Sequence, residues 1–168
     1  FINGHSCGVR PNGYISFRYD LTSFLKYGGE KNVIVVKVDN SKQPNSRWYS
    51  GSGIYRNVWL VKTNTTFVDN FGTYVTTPKV SAASATVQLT TNVNGTGGYF
   101  DITTTIVNAA GKPVATQTQK NIHIGAFQTT TQSFGISSPT LWSIENPYLY
   151  KAVTKLMVGG KVVDEYTT

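Results

Sequence analysis

Cysteine is nearly absent from this sequence: Cys7 stands alone among 168 residues. An internal disulfide and a thiolate metal site are therefore excluded. A nucleophilic cysteine would need a histidine partner, and His5 lies two positions away. Side chains at i and i+2 of a strand share a face without forming a dyad, so Cys7 reads as a small packed residue. Histidine is equally scarce. His123, flanked by Ile122 and Ile124, reads as the solvent side of a strand. The glutamates are Glu30 in a Gly-Gly-Glu-Lys turn, Glu145 before Asn-Pro, and Glu165 near the end. None sits at the end of an apolar strand beside a second carboxylate, as general acid–base work requires. Nucleophile-elbow, phosphate-loop and dinucleotide-binding patterns are missing. Ser50-Gly51-Ser52-Gly53 has no histidine near it in sequence and reads as a flexible loop. No catalytic residue, metal ligand or cofactor is assigned. No apolar run reaches the roughly 20 residues that span a bilayer, so no membrane partner is expected.

Charged residues are few, 14% of the chain, and their sum is +7. The excess is one-sided. Residues 1–63 carry Arg10, Arg18, Lys26, Lys31, Lys37, Lys42, Arg47, Arg56 and Lys62 against Asp20, Glu30 and Asp39, whereas the remainder is almost balanced. The bases are singly spaced, without the clustered run of a nucleic-acid footprint, and read as solvated strand faces; no nucleic-acid partner is expected.

What the chain does contain is threonine, valine, 16 glycines and 12% aromatics, a composition that favours an all-β protein. Asn3-Gly4 and Pro11-Asn12-Gly13 mark turns. Tyr14 to Tyr19 alternates like a strand. Leu21, Phe24 and Leu25 have helical spacing, with Asp20 or Thr22 as a cap and Tyr27-Gly28-Gly29 as the end. Asn32 to Val38 is a continuous β-branched run that predicts a strand covered on both faces. Val58 to Lys62 predicts another. Near Thr63 the basic excess stops and threonine dominates, which places a domain boundary there. Beyond it, alternation recurs: Ala85, Val87, Leu89, Thr91 and Val93; Phe100, Ile102, Thr104 and Ile106; Tyr150, Ala152, Thr154, Leu156 and Val158. Further strands are predicted at Gly72 to Thr77, Val114 to Lys120, Ile122 to Ile124, Thr129 to Ile136 and Lys161 to Tyr166. Gly159-Gly160 reads as a two-residue hairpin turn. About seven short strands in roughly a hundred residues is the pattern of an immunoglobulin-like sandwich, without the Cys…Trp…Cys framework of antibody domains. The two Asn-x-Thr sites, at Asn64 and Asn94, are ascribed to the abundance of threonine.

Towards the end of the first half lies Asn45 to Leu60, NSRWYSGSGIYRNVWL, aromatics and arginines around a Ser-Gly-Ser-Gly centre. Arg47, Trp48 and Tyr49 combine flat apolar rings with a hydrogen-bond donor. Such a set either packs a loop onto a sandwich or stacks on the C–H face of a sugar while binding its hydroxyls.

Several stretches resemble glycoside hydrolase family two, the family of β-galactosidases, β-glucuronidases and β-mannosidases. Phe1-Ile2-Asn3-Gly4-His5, Pro11-Asn12-Gly13-Tyr14, Phe17 to Thr22, Glu30, Asn32-Val33, Val36 to Asn40 and Ser52 to Leu60 are similar to the second half of its sugar-binding jelly-roll domain. Leu141-Trp142-Ser143 and Asn146-Pro147-Tyr148-Leu149-Tyr150 are similar to the end of the immunoglobulin-like domain that follows. Asn40 to Tyr49 resembles β-galactosidases of bacterial gut and periplasmic type. The resemblance implies residues 1–62 as the C-terminal part of the jelly roll and residues 63–168 as the immunoglobulin-like sandwich. It implies a retaining β-glycosidase as the parent, with both catalytic glutamates on a (β/α)₈ barrel that this chain does not include. The chain, opening at Phe1 inside a strand-like stretch, is then expected to be an inactive fragment that supports and lines the site of that barrel. In the family the loop before the Ser-Gly-Ile element reaches the active-site mouth, so Arg47, Trp48 and Tyr49 become the expected substrate contacts. The best-known β-galactosidases have an Asp about where Arg47 stands, and no sodium ligand is assigned here. A β-galactoside or related carbohydrate, a periplasmic or secreted bacterial setting and pairing of open strand edges between chains are further expectations. The rival class is a free-standing carbohydrate-binding or cell-surface adhesion module.

Overall fold

The computed structural model describes residues 1–42 and 51–168. The chain divides into two compact units, Phe1–Leu60 and Val61–Thr168. Among the described residues all extended ladders belong to the second: β1 (Phe67–Val80), β2 (Ser84–Asn94), β3 (Gly98–Val107), β4 (Pro113–Ile124), β5 (Phe127–Ser137), β6 (Lys151–Val158) and β7 (Lys161–Thr167). They form two antiparallel sheets, β1-β2-β5 and β4-β3-β6-β7. The chain changes sheet after β2, β4 and β5, which makes the unit an immunoglobulin-like Greek-key sandwich.

The strands exist because the alternation in the sequence lets each sheet bury one face. Along β2 the buried positions are Ala85, Val87, Leu89, Thr91 and Val93; along β3 they are Phe100, Ile102, Thr104 and Ile106. On β5 Thr130, Gln132, Phe134 and Ile136 turn inward, and on β6 Ala152, Thr154 and Leu156. A fully buried chain such as Leu89 or Ile102 contributes about 2 kcal/mol. The apolar core falls into two clusters. One gathers Val68, Val93, Phe100, Ile102, Ile124 and Leu156; the other gathers Val87, Leu89, Ile106, Phe134, Ile136 and Ala152. The sandwich also buries a set of polar side chains. Thr104 Oγ1 donates to Gln132 Oε1 at 2.7 Å and lies 3.0 Å from Thr154 Oγ1, while Gln132 Nε2 donates to the Gln117 carbonyl at 3.1 Å.

Both pairs of sheet edges are managed. Gln117 Oε1 accepts from Ser133 N–H at 3.0 Å and Gln119 Nε2 donates to the Thr131 carbonyl at 3.0 Å, so side chains of β4 serve backbone groups of β5 across the sheets. On the other side Asp164 Oδ2 accepts from Val68 N–H at 2.7 Å, and the Thr73 and Thr168 hydroxyls meet at 2.6 Å. Two predicted strands, Val114 to Lys120 and Ile122 to Ile124, are one. Asn121, at φ 55°, is the extra residue of a bulge, and its N–H donates to Asp101 Oδ1 at 2.8 Å.

The first unit departs from several strand predictions. Tyr14 to Tyr19 and Val58 to Lys62 form no ladder. Of the run Asn32 to Val38 only Ile34 makes a bridge, to Ile2, beside hydrogen bonds between Phe1 and Val35 and between Asn3 and Val33. That run is not covered on both faces: Val33, Ile34, Val35, Val36 and Val38 are exposed. High β-propensity makes an extended segment, but a ladder needs a second strand along its whole length, and among the described residues Phe1 to Asn3 meets only the stretch Val33 to Val35. Two local predictions hold. Asn3-Gly4, with φ 48° and 86°, closes a tight turn in which Ile2 and His5 exchange backbone hydrogen bonds. The helical spacing at Leu21 becomes one 3₁₀ turn, Thr22–Phe24.

Candidate functional site

Arg47, Trp48 and Tyr49, the predicted sugar contacts, lie outside the described residues. The segments that lead into and out of them are defined. On the near side Asp39 Oδ1 accepts from Ser41 Oγ at 2.6 Å and Ser41 N–H at 3.0 Å. These bonds, the hydroxyl first and the backbone second, hold the Asp39 carboxyl below the ordinary aspartate range. On the far side Arg56, at φ 67°, turns its guanidinium over the Tyr55 ring at 5.3 Å. A hydrogen bond with the Tyr55 side chain and their charge interaction raise the Arg56 pKa further, so it is a fixed cation. Tyr55 in turn meets Tyr14 edge to face at 5.8 Å. Tyr55 and Trp59 are exposed.

A second aromatic–arginine group, which the sequence reading passed over, stands in the same unit. The turn at Pro11-Asn12-Gly13, where Asn12 Oδ1 accepts from Tyr14 N–H at 2.9 Å, sends the chain back on itself. Arg10 is thereby brought over Phe17, at 5.9 Å, and Tyr19, at 4.9 Å, two rings that pack at 5.6 Å. Arg10, Pro11, Asn12, Ile15, Ser16, Phe17 and Arg18 line an open depression of about 380 Å³. The available signal was Phe17 and Tyr19 on one strand face, with a turn long enough to fold Arg10 back onto them.

A bracket of two asparagines ties this unit together. Asn3 Nδ2 donates to the Phe24 carbonyl and to Asn32 Oδ1, each at 2.8 Å, and Asn3 Oδ1 accepts from Val33 N–H at 2.9 Å. Asn32 closes on Lys26 from both sides at 2.8 Å. Ile2 is buried beneath it. His5 stacks on Phe24 with centroids 5.2 Å apart, and the Cys7 thiol lies 3.9 Å from the His5 carbonyl, not its ring. Cys7 is half-buried.

Chemically, these groups suit binding. Glu30 is engaged by Lys26 at 3.7 Å and Glu165 by Lys155 at 3.2 Å. Among the described residues no three His, Cys, Asp or Glu side chains gather as metal ligands, and no helix is long and apolar enough to cross a membrane. Aromatic faces beside fixed guanidinium groups offer stacking and hydrogen bonding to a polyhydroxylated ligand.

An all-β chain of this build, with the Ser-Gly-Ile-Tyr-Arg and Leu-Trp-Ser elements in place, belongs to the glycosyl hydrolases of family 2, whose family model matches residues 66–168. Over its full length the chain is 48% identical to a β-galactosidase of Bacteroides ovatus, covering 20% of that protein. It is 39% identical to a putative β-glucuronidase of Formosa agariphila, covering 16% of it. A solved family 2 glycosyl hydrolase from Bacteroides cellulosilyticus superposes with a TM-score of 0.92 at 34% identity over 99% of this chain and 23% of its own. The chain thus spans about a fifth of the length of the relatives it matches. It corresponds to a β-sandwich portion of these enzymes.

Proposed function

We propose that this chain is the non-catalytic β-sandwich portion of a retaining, β-galactosidase-like glycoside hydrolase, and that it supports and lines the active site of a catalytic barrel. The observation that carries the reading is the 48% identity to a β-galactosidase along the whole of this chain. The first unit is read as the C-terminal part of the sugar-binding jelly roll and the second as the immunoglobulin-like domain. Arg47, Trp48 and Tyr49 are read as contacts to the sugar in the assembled enzyme. Tyr55 stacked under Arg56 and edge-on to Tyr14 supports this, because it fixes the outgoing stem of that loop. The substrate class is a β-galactoside or a related β-glycoside.

The test is a chromogenic assay on the full-length polypeptide encoded around this sequence. Trp48→Ala is expected to raise KM for p-nitrophenyl β-galactoside about tenfold, the loss of roughly 1.4 kcal/mol of stacking, with kcat changed less. An unchanged KM would remove Trp48 from the sugar site. Calorimetric binding of galactose or lactose at millimolar or tighter affinity by the 168-residue chain alone would favour the free-standing module instead.

A further inference from the structure

The sequence holds three Asn-Gly pairs, Asn3-Gly4, Asn12-Gly13 and Asn94-Gly95. Glycine has no Cβ to obstruct approach, so its backbone nitrogen can reach the side-chain carbonyl of the asparagine before it. Closure of that ring expels ammonia and leaves an imide. The local sequence is equally permissive at each pair, but the structure is not. Asn94 ends β2 in register with Phe127, and the Gly95 N–H donates to the Ala126 carbonyl at 3.0 Å. A Cβ at Gly95 would meet Ile124 Cδ1 at 2.8 Å, so the attacking nitrogen is tied and the space beside it is closed. Asn3 is blocked at the other partner. Its Nδ2, the group that would leave, donates to both the Phe24 carbonyl and Asn32 Oδ1, and any turn of its carbonyl toward Gly4 gives up the bond from Val33 N–H.

Asn12-Gly13 carries none of these locks. Both residues are exposed, and nothing lies within 4 Å of a Cβ built on Gly13. Among the described residues neither the Gly13 N–H nor Asn12 Nδ2 has a hydrogen-bond partner. The one bond present is from Tyr14 N–H to Asn12 Oδ1 at 2.9 Å, which folds the side chain back over the Gly13 backbone. That bond favours the reaction. Negative charge collects on Oδ1 as Cγ becomes tetrahedral, and a donor already aimed there stabilises it. Arg10 and Arg18 line the same depression and add positive charge on that side.

We propose that Asn12 is a modification site, converted to aspartate and isoaspartate through attack by the Gly13 nitrogen. The Gly13 N–H gives its proton to water, and the nitrogen bonds to Asn12 Cγ. The Cγ–Nδ2 bond breaks, and Nδ2 takes a proton from solvent and leaves as ammonia. Water then opens the imide. Addition at Cγ gives aspartate; addition at the main-chain carbonyl gives isoaspartate, with the chain running through the former side chain. Either product sets a carboxylate in the depression that Arg10 and Arg18 line. Isoaspartate also adds a methylene to the turn that stacks Arg10 over Phe17 at 5.9 Å and Tyr19 at 4.9 Å. The Arg10–Phe17–Tyr19 group is therefore where the change is felt.

Peptide mapping by mass spectrometry, on the folded full-length polypeptide held at neutral pH, tests this. Asn12 is expected to convert about tenfold faster than Asn3 or Asn94, the factor for roughly one hydrogen bond broken on the way to reaction. Equal or faster conversion at Asn3 or Asn94 would overturn the proposal. In urea the three rates should draw together, because the fold is what separates them. A gap that persists undiminished in urea would place the cause in the neighbouring residues and overturn the structural assignment. Gly13→Ala fits the open space and is expected to slow conversion at Asn12 by about tenfold or more. An unchanged rate would contradict backbone attack. Hydrogen exchange at Tyr14 to Tyr19 should quicken as isoaspartate accumulates, and unchanged exchange would overturn the coupling to the Arg10 group.

Discussion

At the scale of single residues the buried polar set is the most demanding feature of the sandwich. Gln132 spends both ends of its amide, accepting from Thr104 and donating to Gln117. Gln132→Ala strands two partners and opens a cavity, and should cost about 3 kcal/mol in urea unfolding. Thr91 is the opposite case. It is buried, and its Oγ1 has no hydrogen-bond partner among the described residues. Thr91→Val keeps the shape and removes the stranded hydroxyl, so it should stabilise by about 1 kcal/mol in the same measurement. A loss of stability would show that the hydroxyl is satisfied. Asp20 makes a pH-dependent contact: its Oδ1 accepts from Thr22 N–H at 2.9 Å, at the start of the 3₁₀ turn. The Thr22 side chain first and its N–H second lower the Asp20 pKa below 3.8. The contribution is therefore complete above 3.8 and lost as pH falls through the lowered value. A carboxyl carbon titration by NMR with its midpoint at or above 3.8 would contradict this bond.

Among elements, legibility in the sequence tracked how local the determining contacts are. Alternation at Ala85–Val93 and Phe100–Ile106 was sufficient because each sheet buries one face, and a register slip would turn every side chain to water. Gly159-Gly160 was readable because both residues take positive φ, 58° and 76°, as a two-residue hairpin requires. The bulge at Asn121 was not, because it depends on a bond to Asp101 twenty positions away. The strands expected at Tyr14 and Val58 failed for a related reason: β-propensity is local, but a ladder is a property of two segments. The Arg10–Phe17–Tyr19 group was half legible: Phe17 and Tyr19 share a face in the alternation, but the stacking of Arg10 on them across a turn leaves no periodic trace. Arg47 to Tyr49 were singled out by residue type and by resemblance, not by any spacing rule. One element-scale test follows from Gly95, where an added Cβ would lie 2.8 Å from Ile124 Cδ1 in the core. Gly95→Ala should destabilise by about 1–2 kcal/mol through overpacking, measured as a lowered urea midpoint at unchanged m.

For the molecule as a whole, the two units differ in how their backbone is satisfied. The sandwich pairs its strands and ties its edges with Gln117, Gln119 and Asp164. The first unit leaves the Val33–Val38 run and Trp59 exposed. Hydrogen exchange should therefore be slow at Leu89 and Ile102 and fast at Val36 and Val58 in a dilute solution of the chain. This contrast fits a piece of structure that completes itself against other polypeptide, as the proposed function requires. The central claim is that the chain lends a wall to a glycosidase whose chemistry lies elsewhere. Its most direct test is p-nitrophenyl β-galactoside hydrolysis by the 168-residue chain beside the full-length polypeptide. The account predicts turnover by the full-length protein and none above blank by the chain alone; hydrolysis by the purified 168-residue chain would contradict it.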